Sequence, residues 1–302
     1  MNRTESRSMV TTQVAGLIQS MRLKQWIKNG FIFVPLVFDG KLIQPRPLLA
    51  TLAGFALFSM ITSAVYLIND LVDLEADRAH PTKRYRPLPS GRLSREVAIT
   101  AAGVLAAIAL PLSYLLNPWF AVIVLSYLCL QLAYSFWLKH MVVIDVMTIA
   151  AGFLLRVAAG TVLVSAERFS PWLYVFTATL ALFLGFTKRR QELIQLNGGE
   201  NHQRAILDHY NIKLLDEIIL IVTAMAMLTY ALYTFSAEGL PENHTMMLTT
   251  PFVLYGIFRY LYLIHVRGEG SAPDEVLLED RPLQLAVLLW GLAVILVLYI
   301  LP

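Results

Sequence analysis

The stretch Tyr66-Leu-Ile-Asn-Asp-Leu-Val-Asp-Leu-Glu-Ala-Asp-Arg78 has the residue types and the spacing to do chemistry. Asp70, Asp73 and Asp77 fall at i, i+3 and i+7, so on one continuous helix all three carboxylates share a face, flanked by Asn69. Carboxylates stacked so closely repel one another until a cation neutralises them. Hard oxygen ligands in this pattern suit Mg²⁺, which takes one or two carboxylates, several waters and the phosphate oxygens of a substrate. The next segment, His80-Pro-Thr-Lys-Arg-Tyr-Arg-Pro-Leu-Pro-Ser-Gly-Arg92, is a Pro-rich loop carrying Lys83, Arg84, Arg86 and Arg92. An acidic helix end beside a basic loop suits a diphosphate: a metal on the carboxylates takes some of its oxygens, and Lys or Arg takes the rest. The plainer explanations are a solvated acidic helix end and the usual excess of cations in cytoplasmic loops. An apolar run leads straight into the acids, which argues against the first.

What positions these groups follows from composition. The 302 residues are 57% hydrophobic and only 15% charged, with a net charge of +3 and a mean hydropathy of +0.61. The apolar residues come in blocks of about 20, the length at which an α-helix crosses a bilayer. A soluble enzyme, a nucleic-acid binder and a disordered scaffold are excluded. A lone cysteine, Cys129, allows no disulfide framework. The blocks predict an all-α, polytopic membrane protein of about nine spans, near 24–40, 48–70, 95–116, 118–137, 141–164, 171–187, 215–235, 246–265 and 283–301. Nineteen of the 24 Lys and Arg then fall on one side and three on the other, so the N-terminus and the acidic motif are expected to be cytoplasmic and the C-terminus outside. A single catalytic domain is expected over 24–302, with cytoplasmic loops 71–94 and 188–214. It follows a segment, 1–23, in which Val10 to Met21 reads as an amphipathic surface helix.

Asn69-Asp70-x-x-Asp73-x-x-x-Asp77 at the cytoplasmic end of a second span resembles the first aspartate motif of the UbiA-type prenyltransferase superfamily. Over nearly the whole chain, the span count, motif position and basic loop all fit. The resemblance implies a bundle of membrane helices with a cytoplasmic-side active site and Mg²⁺ as cofactor. Members that prenylate aromatic rings carry a second acidic motif after the sixth span. Here that place reads Lys188-Arg189-Arg190-Gln-Glu192, a basic cluster that suits a phosphate rather than a second metal. Further cations, Arg22, Lys24 and Lys28, stand with Asn29 at the start of the first span. Lys24-Gln-Trp-Ile-Lys-Asn29, Ala76-Asp-Arg-Ala-His-Pro-Thr-Lys-Arg84, Leu138-Lys-His140 and Asp280-Arg281 are similar to the decaprenyl-phosphate phosphoribosyltransferase branch. That likeness implies phosphoribosyl diphosphate (PRPP) as donor and a polyprenyl phosphate as acceptor. Asp70, Asp73 and Asp77 would hold the metal, with Lys28, Lys83, Arg84, Arg86, Lys188 and Arg189 as candidates for phosphate oxygens.

Ionisable residues at membrane depth are costly and face the bundle interior. Asp145 and Arg156 lie in the fifth span, eleven residues and about three turns apart. Asp145 is placed to touch ribose hydroxyls; Arg156 either reaches the site or closes an internal hydrogen-bond network. Tyr134 and Lys139 could meet a phosphate, or Lys139 could simply snorkel. Arg259 reads as structural or as a lipid contact, the six histidines as surface or loop residues, and Gly160 as permitting close helix packing. Two other readings compete: a prenyltransferase acting on an aromatic or small acceptor, and a transporter, whose charges would lie nearer the bilayer midplane. Homo-oligomer formation is left open.

Overall fold

The computed structural model describes residues 3–166, 170–197, 205–268 and 273–301, and among them every regular element is helical. Helix α1 (Arg3–Ser20) is followed by a 3₁₀ stretch (Leu23–Phe33) and the short α2 (Val34–Phe38). Then come α3 (Pro45–Val72), α4 (Leu74–Ala79), α5 (Arg95–Leu116), α6 (Pro118–Phe136), α7 (Ile144–Val164) and α8 (Pro171–Asn197). The last four are α9 (Ile212–Ser236), α10 (Thr250–Tyr262), α11 (Pro273–Glu279) and α12 (Arg281–Ile295).

The helix starts follow from local sequence. Asn117 Oδ1 accepts the backbone N–H groups of Trp119 and Phe120 at 2.8 and 3.1 Å, with Pro118 at the first helical position. Ser94, Asn211 and Asp280 cap α5, α9 and α12 in the same way, each occupying a donor that the first turn leaves unpaired. Asp280 also receives Arg259 at 2.8 Å, which gives Arg259 the structural role expected of it.

Among the described residues seven helices are long and apolar enough to cross a membrane. Many of their large apolar side chains face outward, Leu115 at 77% exposure and Leu220 at 70% among them. In water such a surface would aggregate, and in hydrocarbon it costs nothing. The protein is therefore a multi-pass membrane protein. The count of nine is not reproduced, for two reasons. The expected first span is not one α-helix but the 3₁₀ stretch followed by α2. The expected sixth span does not stop at 187: α8 runs on to Asn197, and its charged end lowers its apolar character. The expected loop 188–214 is accordingly helix at its beginning, while 198–204 lie outside the described residues.

The 3₁₀ stretch is much longer than the three or four residues usual for that geometry, and tertiary contacts hold it. With three residues per turn, Trp26, Asn29, Ile32 and Pro35 line up along one edge. Trp26 Nε1 donates to Ser63 Oγ at 3.0 Å and Asn29 Nδ2 to Ser59 Oγ at 2.9 Å, while Ile32 and Pro35 are buried. The carbonyl of Ile32 lies where a Cβ on Gly160 of α7 would stand, 2.1 Å from it, so only glycine lets the two backbones meet. One apolar core joins this stretch to α3, α5, α6 and α7 through Phe58, Phe120, Tyr127 and Leu163. A second fills the space between α8, α9, α10 and α12 around Phe183, Tyr230 and Tyr260. A third, of Leu67, Leu74, Leu88, Leu93 and Ala98, lies beneath the end of α3.

Helix α1 buries Gly16 and Ser20 and leaves Val14 and Ile18 half exposed, with Gln13 Oε1 accepting the backbone N–H of Ser94 at 2.9 Å. It straps the loop before α5.

Replacing Gly160 with Ala should lower the stability of the purified chain by about 1–3 kcal/mol, because the backbone of the first stretch cannot retreat. Gly103, with nothing within 4 Å of its missing Cβ, is the control, and Gly103→Ala should leave the melting temperature unchanged or raised. Equal melting temperatures for the two variants would contradict the close approach.

Candidate functional site

Helix α3 ends at Val72 and the chain bends at Asp73 (φ −88°, ψ 5°) before α4 resumes. The expectation of one continuous helical face is therefore corrected. The bend has a cause: Leu74 turns into the core with Leu67, Leu88 and Leu93. Asp70 and Asp77 are buried at 2% and 3% exposure and converge on a single cation, Arg86, whose Nη1 lies 3.4 Å from Asp70 Oδ1 and 2.7 Å from Asp77 Oδ2. Asp73 is paired instead with Lys139 Nζ of the turn after α6, at 2.5 Å.

Asp70 has a second partner that the sequence did not mark. Arg22 donates through Nη2 to Asp70 Oδ1 and lies 4.8 Å over the ring of Tyr66. It stands between α1 and the 3₁₀ stretch with φ 52° and ψ 54°, a left-handed conformation uncommon outside glycine. That turn aims its side chain back at the end of α3. In the sequence Arg22 was one of several cations near the first span; only the backbone conformation singles it out.

The donor set fits a divalent cation. Two buried carboxylates already share one positive group, and each keeps a further oxygen. Mg²⁺ needs no more protein ligands than two when phosphate oxygens and water complete its octahedron. Among the described residues no group of three His, Cys, Asp or Glu side chains forms a ready cage, so the pair is the stronger candidate and Asp73 the weaker.

The remaining expected residues divide by position. Asn69, next to Asp70, and Lys83, in the basic loop, are half-buried; Arg84 is exposed, with Nη2 2.6 Å from Tyr85 Oη; Lys24 is exposed, and Lys28 and Lys188 are half-buried. The cluster at the end of α8 is not the open phosphate cradle its sequence suggests. Arg189 is 1% exposed, with Nε 2.6 Å from Asp145 Oδ2 and Nη1 2.5 Å from Glu192 Oε2. Arg190 pairs with Asp216 at 2.5 Å. Tyr210 Oη donates to Asp145 Oδ1 at 3.0 Å and itself accepts the backbone N–H of Val143 at 2.6 Å. Burial pushes the Tyr210 phenol up to about 12, so it stays a donor at neutral pH. Tyr134 is half-buried near the end of α6. Asp145 is fully buried with both oxygens engaged, so the ribose contact expected of it is replaced by a structural one.

Arg156 takes the second of its two expected roles. Its Nε donates to Asn29 Oδ1 at 2.8 Å, Nη1 to the Gly152 carbonyl at 2.8 Å and Nη2 to Tyr127 Oη at 2.9 Å. The rings of Phe58, Tyr127 and Phe153 surround the guanidinium at 5.4, 4.8 and 5.4 Å. Asn29, fully buried, belongs to that network.

The UbiA prenyltransferase family matches this chain over residues 32–278. The decaprenyl-phosphate phosphoribosyltransferase of Corynebacterium glutamicum is 34% identical, over 95% of this chain and 88% of its own length. The enzyme of the same name from Mycobacterium tuberculosis is 33% identical over 92% of each. Among solved structures, a UbiA homologue from Archaeoglobus fulgidus bound to GPP and Mg²⁺ shares the fold, with a TM-score of 0.70 at 17% identity, covering 94% of this chain and 100% of that one.

Substituting Arg189 with Met leaves Asp145 buried without a cation and should cost about 3–5 kcal/mol of stability. Adding Asp145→Asn should return much of that loss, since the pair is then removed together. Thermal unfolding of both variants in detergent checks this, and a single mutant melting like the parent would contradict the network.

Proposed function

Because the chain belongs to the UbiA prenyltransferase family, and within it to the group of the decaprenyl-phosphate phosphoribosyltransferases, we propose that it transfers the 5-phosphoribosyl group of PRPP to a polyprenyl phosphate and releases diphosphate. The observation that carries the choice of donor is the end of α8. There Asp145 and Glu192 are both held by the buried Arg189, and Asp216 by Arg190. The acidic cluster at the end of α3 is bordered instead by cations that stay partly exposed. A prenyltransferase reading would want a second acidic pair there.

Asp70 and Asp77 would hold Mg²⁺, with Asp73, the third acid of the motif, as a further candidate ligand. When bound, the metal supplies Lewis-acid stabilisation of the leaving diphosphate. The chain's own residues do the rest. Arg22, Arg86 and Lys139 balance the three carboxylates one for one, so the site is near neutral before substrate arrives. A donor that brings its own excess negative charge frees these cations from the carboxylates and draws them onto its oxygens. Their positive charge then faces the atoms where negative charge grows as the anomeric C–O bond breaks. Lys83 and Arg84 extend the cationic border along the loop.

The nucleophile is a phosphate oxygen of the lipid. Its second pKa is near 6, so it is ionised at neutral pH and needs no general base. Positioning and electrostatics supply most of the acceleration. Attack opposite the diphosphate inverts the anomeric centre. The asymmetry of Lys and Arg along the chain supports a cytoplasmic site in the cell membrane, where a water-soluble donor meets a lipid-bound acceptor.

Purified chain given Mg²⁺, labelled PRPP and polyprenyl phosphate should form labelled lipid and diphosphate in equal amounts, and chelation should stop it. Asp70→Asn should lower turnover by about 10²–10³-fold with the chain still folded. Prenyl transfer from a prenyl diphosphate, with no phosphoribosyl lipid formed, would overturn the assignment.

A further inference from the structure

The basic loop begins with a residue whose role no cation explains. His80 ends α4 and is buried at 9% exposure. Its Nδ1 lies 3.1 Å from the backbone N–H of Thr82, 3.1 Å from that of Lys83 and 3.2 Å from Thr82 Oγ1. Two backbone donors aimed at one ring nitrogen require a lone pair there, so the ring proton sits on Nε2. Nε2 is buried with no polar partner among the described residues. The ring is thus oriented by what Nδ1 accepts, and a purely space-filling residue would not need that acceptor.

The turn it closes is the one that presents the cations. Pro81 has no N–H to offer, Lys83–Tyr85 form one 3₁₀ turn, and the Arg84 N–H returns to the His80 carbonyl at 3.3 Å. No side chain of Thr82 caps that turn. His80 does so from two residues upstream, as Asn or Asp does in an Asx-turn. Arg86 follows directly, extended at φ −61° and ψ 155°, and delivers its guanidinium to Asp70 and Asp77.

We infer that His80 is a positioning residue for donor binding: through Nδ1 it fixes the Thr82–Arg86 turn so that Lys83 and Arg86 meet the diphosphate beside the α3 carboxylates. This rests on the reading of PRPP as donor, and it predicts which substitutions are tolerated. Asn places an acceptor oxygen near the position of Nδ1 and can close the same turn. Phe keeps the ring and loses the acceptor.

The test compares full-length His80→Asn and His80→Phe with the parent chain, in Mg²⁺, PRPP and polyprenyl phosphate. His80→Phe should raise the KM for PRPP about tenfold, the worth of one or two lost hydrogen bonds, with the KM for lipid and the melting temperature little changed. His80→Asn should stay within about threefold of the parent. Amide hydrogen exchange at Thr82 and Lys83 should be faster in His80→Phe and near parental in His80→Asn. Failure of the parent chain to use PRPP would sink the donor assignment, and the exchange measurement would then still decide the turn. The inference is overturned if His80→Phe keeps parental exchange and KM, if His80→Asn is as impaired as His80→Phe, or if both KM values rise together with a fall in melting temperature.

Discussion

A charge carried into or beside hydrocarbon must bring its own compensation, because the lipid offers none. The polar interior of this protein is organised by that rule. Asp70 and Asp77 sit at the end of α3 with Arg22 and Arg86 upon them, and Asp73 with Lys139. Asp145 is buried among helix ends with Arg189 and Tyr210. The two arrangements differ in what they allow. Arg189 is held by two acids and 1% exposed, so its charge is locked. The side chains of Arg22 and Arg86 are 27% and 32% exposed, so theirs can be exchanged for the charge of a ligand.

Arg156 meets the same rule by another route. Among the described residues its partners are an amide oxygen, a backbone carbonyl and a phenol, with three aromatic faces around the guanidinium. Neutral oxygens and ring quadrupoles take the place of a counter-ion. The result ties α7 to α6 and to the first stretch of the chain, and so connects the helix that carries Asp145 in its first turn with the segment that begins beside Arg22.

Much of this was legible in the sequence. Apolar blocks marked the membrane helices, and of the cations in the basic loop the structure brings Arg86 to Asp70 and Asp77. The misses have physical causes. Asp73 breaks the helix because Leu74 is drawn into a core made partly by Leu88 and Leu93, residues that no local pattern connects to it. Arg189 reads as a phosphate ligand because its two neighbours are cations, whereas its partner Asp145 is 44 positions away. Arg22 is one cation among several until its left-handed backbone is seen. His80 passed as an ordinary loop histidine, since a side chain that caps a turn from two residues upstream leaves no compositional trace.

The 3₁₀ geometry of the first stretch sets what mutation can do there. Its contact edge recurs every third residue, Trp26, Asn29, Ile32 and Pro35, like the teeth of a rack. Positions between the teeth, such as Lys24 and the half-exposed Ile27, can change identity without disturbing the mesh. A single inserted or deleted residue is another matter. It rotates everything on one side by about 120° and throws Asn29 off Arg156 and Arg22 off Asp70 together. Along this segment the length of the chain is under tighter constraint than most of its letters.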